Sequence, residues 1–220
     1  MRNVHFFLMG MIFLVNQASY AKEMAGEVVS VSGIAFIRPE KSTGPLPKSP
    51  PRVKAGDIVF VGDVINTSSE GTVKFLMRDK TIVDIGVSSL FKVDEYIHNH
   101  GTDRKAKLDL MFGKVRVAVT KKIDGEGKFM VKTKSATMGV RGTEFIVKED
   151  VPDRLSKHDK SPKSNEPVQQ KSEITVVQGK VDVTPVAVPT VAKADGKPAA
   201  PAAPVRTVSL TAGTQITTGV

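Results

Sequence analysis

The chain is 220 residues long, contains no cysteine and no tryptophan, and carries a formal net charge of +9. The lack of cysteine excludes disulfide bonds and a lipid-modified N-terminal cysteine, so stability must come from buried apolar side chains. The length is enough for one domain of ordinary size.

The N-terminal segment is typical of a secretory leader. A short basic start is followed by an apolar run at residues 4–15 and by small residues that end at Ala21. This pattern predicts a signal peptide over residues 1–21, cleaved after Ala21. An uncleaved anchor is the alternative, but the apolar run is shorter than the ~20 residues that span a bilayer. We therefore expect an exported mature chain, periplasmic or secreted, with no transmembrane segment.

From Glu27 onward the sequence alternates between apolar and polar residues in short segments separated by turns, with almost no helical periodicity. In one such segment Val73, Phe75 and Met77 fall on the same face. Strands repeating every ~8–12 residues between glycine-rich turns are typical of an all-β sandwich, barrel or solenoid.

One strand–glycine–strand pattern occurs twice. Residues 108–117 and residues 174–183 have apolar faces in the same register, with Gly113 and Gly179 at equivalent places. Two equivalent strand pairs on a shared core favour a β-solenoid-like stack, with a β-sandwich or jelly roll as the alternative.

Two segments do not fit a core. Residues 151–171 are rich in Lys, Asp, Ser, Pro and Gln, and residues 185–204 are rich in Pro and Ala. The first composition is typical of a disordered insertion and the second of an extended linker. Residues 207–216 read as a returning hairpin, so both insertions are predicted to lie within a single domain over residues 22–220.

The most distinctive stretch covers residues 137–147. Gly139 and Gly142 bracket Arg141, and an alternating strand follows that includes Thr143 and Phe145. Glycine reaches positive φ without steric cost, so the pair predicts a fixed turn that feeds a strand. We expect Arg141 to donate hydrogen bonds to carbonyls of that turn, as a structural rather than a functional residue.

This stretch and the segments around it resemble the FecR domain family, named for the ferric-citrate regulator of bacterial envelopes. The resemblance extends from about Gly26 to Gln215. It is carried by glycine-aspartate steps, glycine-centred strand pairs, the glycine-arginine-glycine turn and a closing Leu-x-Ala-Gly, at residues 53–57, 62–67, 71–75, 108–119, 136–145, 176–183 and 210–213.

The resemblance implies a periplasmic binding or scaffold module. Regulators of this family also carry a cytoplasmic anti-sigma segment, a membrane helix and a carboxy-terminal domain that meets a transporter. This chain has a predicted leader in place of the first two and ends at the module. We therefore expect it to act through a partner and not as a sigma-factor regulator by itself.

The residues give little support for catalysis. No nucleophile motif or phosphate-binding glycine loop is recognisable, and no cofactor is predicted. His98 and His100, with Asp94, Glu95 and Asp103 nearby, could ligate a metal, but paired histidines in a polar loop are usually solvated. Few aromatic residues are available to stack bases, so nucleic acid is not an expected partner.

Two functions remain after these exclusions. The first is a non-catalytic sensing or adaptor module that contacts another envelope protein through an exposed strand edge. The second is a structural protein held to the cell wall or to anionic lipid by its basic surface.

Overall fold

A computed structural model describes residues 22–39, 50–98, 104–121, 127–150, 171–186 and 206–219. These residues form fifteen strands and no helix, which confirms the all-β class. No helix among them is therefore long and apolar enough to cross a membrane. The predicted leader and most of both predicted insertions lie outside the described residues, although Lys171 begins one strand and Pro185 ends another.

The strands form one hydrogen-bonded network that divides into two sheets. Sheet A has the order β3-β1-β5-β6-β8-β11-β12-β15, and every pair in it is antiparallel. Its strands are β1 (Met24–Ser32), β3 (Ile58–Phe60), β5 (Thr72–Met77), β6 (Ile82–Ile85), β8 (Arg104–Ala118), β11 (Glu144–Glu149), β12 (Lys171–Gln178) and β15 (Gln215–Gly219).

Sheet B has the order β2-β4-β7-β8-β9-β10-β13-β14 and shares β8 with sheet A. Only the β8–β9 pair is parallel among the described strands. Its further strands are β2 (Ala35–Arg38), β4 (Val64–Thr67), β7 (Leu90–His98), β9 (Lys128–Lys132), β10 (Ala136–Val140), β13 (Lys180–Pro185) and β14 (Val208–Thr211).

The chain passes repeatedly from one sheet to the other, and we call each such place a corner. Strand β8 belongs to sheet B before Gly113 and to sheet A after it. Further corners lie at Gly33, Gly142, Gly179 and Gly213, and all of these glycines have positive φ. Glycine suits these places because residues with a Cβ are strained at positive φ.

The inward side chains of both sheets belong to one apolar cluster. Phe75 and Val147 of sheet A and Phe91 and Val183 of sheet B are fully buried in it. Successive residues of a strand point to opposite faces, so the alternation in the sequence supplies one inward face per sheet. The core therefore lies between the two sheets.

The β-solenoid prediction is not supported. Stacked coils would pair equivalent strands in parallel, whereas the described pairs are antiparallel apart from β8–β9. The repeat at residues 108–117 and 174–183 instead marks two corners, which cross between the sheets in opposite directions. The returning hairpin is also corrected, because β14 pairs with β13 and β15 pairs with β12.

Candidate binding site

The residues of the predicted signature turn lie at the corner between β10 and β11. Gly139 lies within β10, and Gly142 forms the corner with a φ of 70°. Thr143 and Phe145 are buried, with Phe145 in the apolar core. The turn joins two core strands of different sheets.

A side-chain clamp connects this corner to the next one. The Thr143 hydroxyl donates to the carbonyl oxygen of Lys180 at 2.7 Å and accepts from the Lys180 amide at 3.2 Å. An added Cβ on Gly179 would lie 2.9 Å from Thr143 Oγ1 and 3.0 Å from the carbonyl oxygen of Gly142. The two corners therefore pack too closely for any side chain at Gly179.

Arg141 does not play the predicted part. Its side chain is exposed, and it makes no hydrogen bond or ion pair with another described residue. It lines a shallow depression with Thr120, Glu144 and Gln178. Thr143 bonds the backbone across the corner instead, because its short hydroxyl reaches Lys180 from a buried position.

The last strand of sheet A has an open outer edge. Val176 of β12 donates its amide to the carbonyl oxygen of Thr214 at 3.0 Å. Hydrogen-bonded positions alternate along an antiparallel ladder, so the backbone groups of Ile216 and Thr218 also point toward β12. Gln215, Thr217 and Gly219 consequently direct their amides and carbonyls away from β12, toward no other described strand.

The last strand of sheet B is open in the same way. The Val186 amide donates to the carbonyl oxygen of Ser135 at 2.9 Å, so the backbone groups of every second residue of β13 point toward β10. The residues between them face β14 and pair with Val208 and Leu210. Ser209 then directs its amide and carbonyl outward. We call β14, its corner at Gly213 and β15 the open end of the molecule.

The opposite end of the two sheets, which we call the covered end, has a bonded edge in sheet B and a short, partly capped edge strand in sheet A. The outer edge of β2 is bonded by residues 51–53, since Ile37 donates to Pro51 at 3.1 Å and Val53 donates to Ala35 at 2.9 Å. Strand β1 is covered by the three-residue strand β3. The Phe60 amide of β3 donates to Asp63 Oδ2 at 2.9 Å.

The open end lacks the features that usually protect exposed edges. Residues 207–219 contain no charged residue and no proline, in a chain that is 25% charged. Natural edge strands are commonly protected by charges, proline or a covering segment. Its polar side chains bond to neighbouring strands, as Ser209 does to Asp182 at 2.5 Å and Gln215 does to Glu173. No described strand pairs with the outward backbone groups of β14 and β15.

A buried polar cluster lies beneath β15. Ser135 contacts the Ser172 hydroxyl at 2.5 Å and Thr218 of β15 at 3.2 Å, and Ser172 donates to Glu149. Thr133 bonds Ser172 at 2.6 Å. All five side chains are buried, and Glu149 Oε1 has no hydrogen-bond partner among the described residues. Burial raises the pKa of the Glu149 carboxyl.

Other polar candidates from the sequence do not form a site. His98 ends β7, whereas His100 and Asp103 lie outside the described residues. The described residues contain no group of three or more metal-ligating side chains. Asp94 instead forms ion pairs with Lys107 at 2.6 Å and Lys92 at 3.0 Å, which lower its pKa.

The family model for FecR protein matches residues 63–182, which is more than half of the chain. The chain belongs to the FecR family. No curated protein sequence matches this member.

Two similar solved structures are crystal structures, at 1.65 and 2.50 Å resolution, of a candidate anti-sigma factor from Parabacteroides distasonis. Each is 18% identical to this chain with a TM-score of 0.43. The alignments cover 70% and 69% of this chain, which spans about half the length of those chains (53% and 52%).

Proposed function

We propose that this FecR-family protein is a non-catalytic adaptor of the bacterial envelope that binds a partner protein by strand addition at the open end. The supporting observation is that β14 and β15 both end their sheets with outward backbone groups and no charge. Main-chain bonds to an added strand supply affinity, and alternate side chains supply specificity.

The protein is expected to work in the periplasm after removal of residues 1–21. This location rests on the leader pattern of the sequence. Because the chain has no cysteine, its fold does not depend on disulfide bonds in that compartment.

Thr217 offers the sharpest test of strand addition. Its side chain is exposed and its amide points away from β12, so a proline there removes an outward donor without breaking the β12–β15 ladder. Thr217→Val is the matched control, because valine keeps the amide and favours strands.

The experiment is a crosslinked pull-down from the envelope fraction with the mature wild type, Thr217→Pro and Thr217→Val, washed at low and high salt. The proposal expects one partner that survives high salt, is captured by Thr217→Val and is lost with Thr217→Pro. Equal capture by the proline variant, shown to be folded by circular dichroism, would exclude strand addition at β15.

A second candidate function is attachment to an anionic surface through the outer face of sheet B. Lys105 and Lys128 pair directly across β8 and β9, are both exposed and have no ion pair with another described residue. Neighbouring like charges destabilise a sheet, and a bound anion would relieve this repulsion. On sheet A, by contrast, Arg116 is neutralised by Glu144 at 2.7 Å.

Salt separates the two candidates. Attachment by charge weakens steeply as ionic strength rises, and strand pairing much less. If the second candidate holds, the Lys105→Gln/Lys128→Gln variant should no longer bind vesicles that contain anionic lipid. If the first holds, that variant should capture the partner at high salt as well as the wild type does.

A further inference from the structure

Three neighbouring corners of the fold are aligned. Gly142, Gly179 and Gly213 lie at the corners of β10–β11, β12–β13 and β14–β15, with φ angles of 70°, 88° and 79°. The strands before and after these corners pair with one another in sheet A and in sheet B. Each layer therefore repeats the corner of the layer beside it.

An added strand meets the same requirement as the layers inside the fold. A segment that pairs with β15 in sheet A can continue along β14 in sheet B only if it turns the corner beside Gly213. Inside the fold that turn is made by glycine at positive φ, next to a corner that leaves little space for a Cβ.

The corner at the open end has room for another layer. An added Cβ on Gly179 would meet the preceding corner within 3.0 Å, whereas one on Gly213 would meet no atom within 4 Å. Gly213 is thus the last corner, with no described residue packed beyond it.

We propose that the partner segment recognised at the open end is itself a strand–glycine–strand element of another protein, running antiparallel to residues 208–219 with its glycine beside Gly213. This inference rests on the proposed strand addition and specifies the chemistry of the segment. A segment that pairs with β15 in sheet A and with β14 in sheet B binds more tightly, because pairing with one strand raises the effective concentration for pairing with the other. An extended strand that cannot turn the corner would pair with only one of the two.

The core specifies the side chains of such a segment. Leu210 is buried on the inner face of β14, and Ile216 of β15 packs partly buried against the core. Partner residues paired directly opposite Leu210 and Ile216 would point to the inner face of the sheet, so they should be apolar. The intervening residues face solvent beside uncharged Ser209 and Thr217, where either charge sign is tolerated.

A suitable probe is a synthetic peptide with the sequence of residues 172–185. This segment is the layer that pairs with β14 and β15 inside the fold, so it has the required alternation and corner glycine. Three versions differ only at the position of Gly179, which is kept as glycine or replaced by L-alanine or D-alanine. D-alanine favours positive φ as strongly as L-alanine opposes it.

Binding to the mature protein is measured by isothermal titration or fluorescence anisotropy, with Thr217→Pro as the control protein. The glycine and D-alanine peptides are expected to bind within about threefold of one another, and the L-alanine peptide about tenfold more weakly. All three should lose affinity for Thr217→Pro.

The outcomes separate this inference from the proposed function. Equal binding of the three peptides, lost with Thr217→Pro, would overturn the corner requirement and leave strand addition intact. Failure of every peptide, while the pull-down still shows a partner sensitive to Thr217→Pro, would also overturn it. A dimer in sedimentation that Thr217→Pro dissociates would assign the open end to a second copy of this chain instead.

Discussion

The two ends of the double sheet solve the same edge problem in opposite ways. At one end β2 is bonded by residues 51–53, and the Phe60 amide of β3 is capped by Asp63. At the other end β14 and β15 leave outward backbone groups without a described partner and without protecting charges. An uncapped edge is a liability unless it has an occupant. The contrast therefore supports the proposal that a partner binds at the open end.

The corners of the two ends should differ most in their tolerance of a side chain. An added Cβ on Gly33, beside the covered end, would lie 2.2 Å from the carbonyl oxygen of Glu70, whereas Gly213 has open space. Gly33→Ala should lower the free energy of unfolding by about 3 kcal/mol or more, from backbone strain and overpacking together. Gly213→Ala should cost only the strain, about 1–2 kcal/mol. Urea denaturation of both variants measures the difference, and equal losses would contradict the packing contrast.

Removing the cap of the covered end should have the next largest effect. Asp63 is buried, accepts from the Phe60 amide at 2.9 Å and pairs with Lys22 at 3.1 Å. Asp63→Ala leaves that amide without its acceptor and should cost about 1–3 kcal/mol of unfolding free energy. Thr217→Val at the open end, which touches no such bond, should change it by less than about 0.5 kcal/mol. If the two variants have the same urea midpoint, the Asp63 cap does not stabilise the covered end.

The signature turn tests whether corner geometry matters inside the stack. Gly142 has a φ of 70°, whereas Gly139 has no positive φ and an added Cβ there would meet only Asp182, at 3.9 Å. Gly142→Ala should cost about 1–2 kcal/mol, and Gly139→Ala should be neutral or stabilise by about 0.4–1 kcal/mol. Melting temperatures provide the comparison. An unchanged melting temperature for Gly142→Ala would show that the corner does not need glycine.

The polar cluster that anchors β15 should make the stability of the open end dependent on pH. Burial raises the pKa of Glu149, while the hydrogen bond from Ser172 and the nearby Thr133 hydroxyl and Lys134 oppose the shift and Asp150 adds to it. The stabilisation that depends on a protonated Glu149 is therefore fully present below the ordinary glutamate pKa of 4.5, and it is lost as the pH rises through the raised pKa of the folded protein.

Glu149→Gln removes this titration and keeps a side chain of similar shape. The urea midpoint of the wild type should fall relative to Glu149→Gln as the pH rises above 4.5, with a plateau once Glu149 is ionised. Parallel curves for the two proteins across that range would mean that Glu149 does not ionise differently on folding.

The strands and corners could be predicted because their signals are local. Alternation predicted that Phe75 shares a face with Val73 and Met77, and the strand–glycine–strand repeat singled out Gly113 and Gly179, which lie at corners. The direction in which each corner crosses was not predictable, because it depends on pairing between residues far apart in the chain. The predicted solenoid failed at that point.

The open end and the polar cluster left weaker signals. The uncharged run of residues 207–219 is visible in the sequence, but only the pairing of β14 and β15 shows that it ends both sheets. Ser172 falls in the inward register of Ile174 and Val176, which marks a polar residue on an apolar face. Its contact with Glu149 and Ser135 requires the fold. Arg141 was misjudged because a long donor at a turn can equally extend into solvent.

Amide hydrogen exchange of the isolated mature protein, followed residue by residue by NMR, tests the contrast between the ends most directly. Amides that are bonded at the covered end, at Ile37 and Phe60, should be protected, whereas those of Ser209, Gln215 and Thr217 should exchange nearly as fast as in an unfolded chain. Strong protection of the latter amides in a protein shown to be monomeric would mean that the open end is already covered, and would contradict the account.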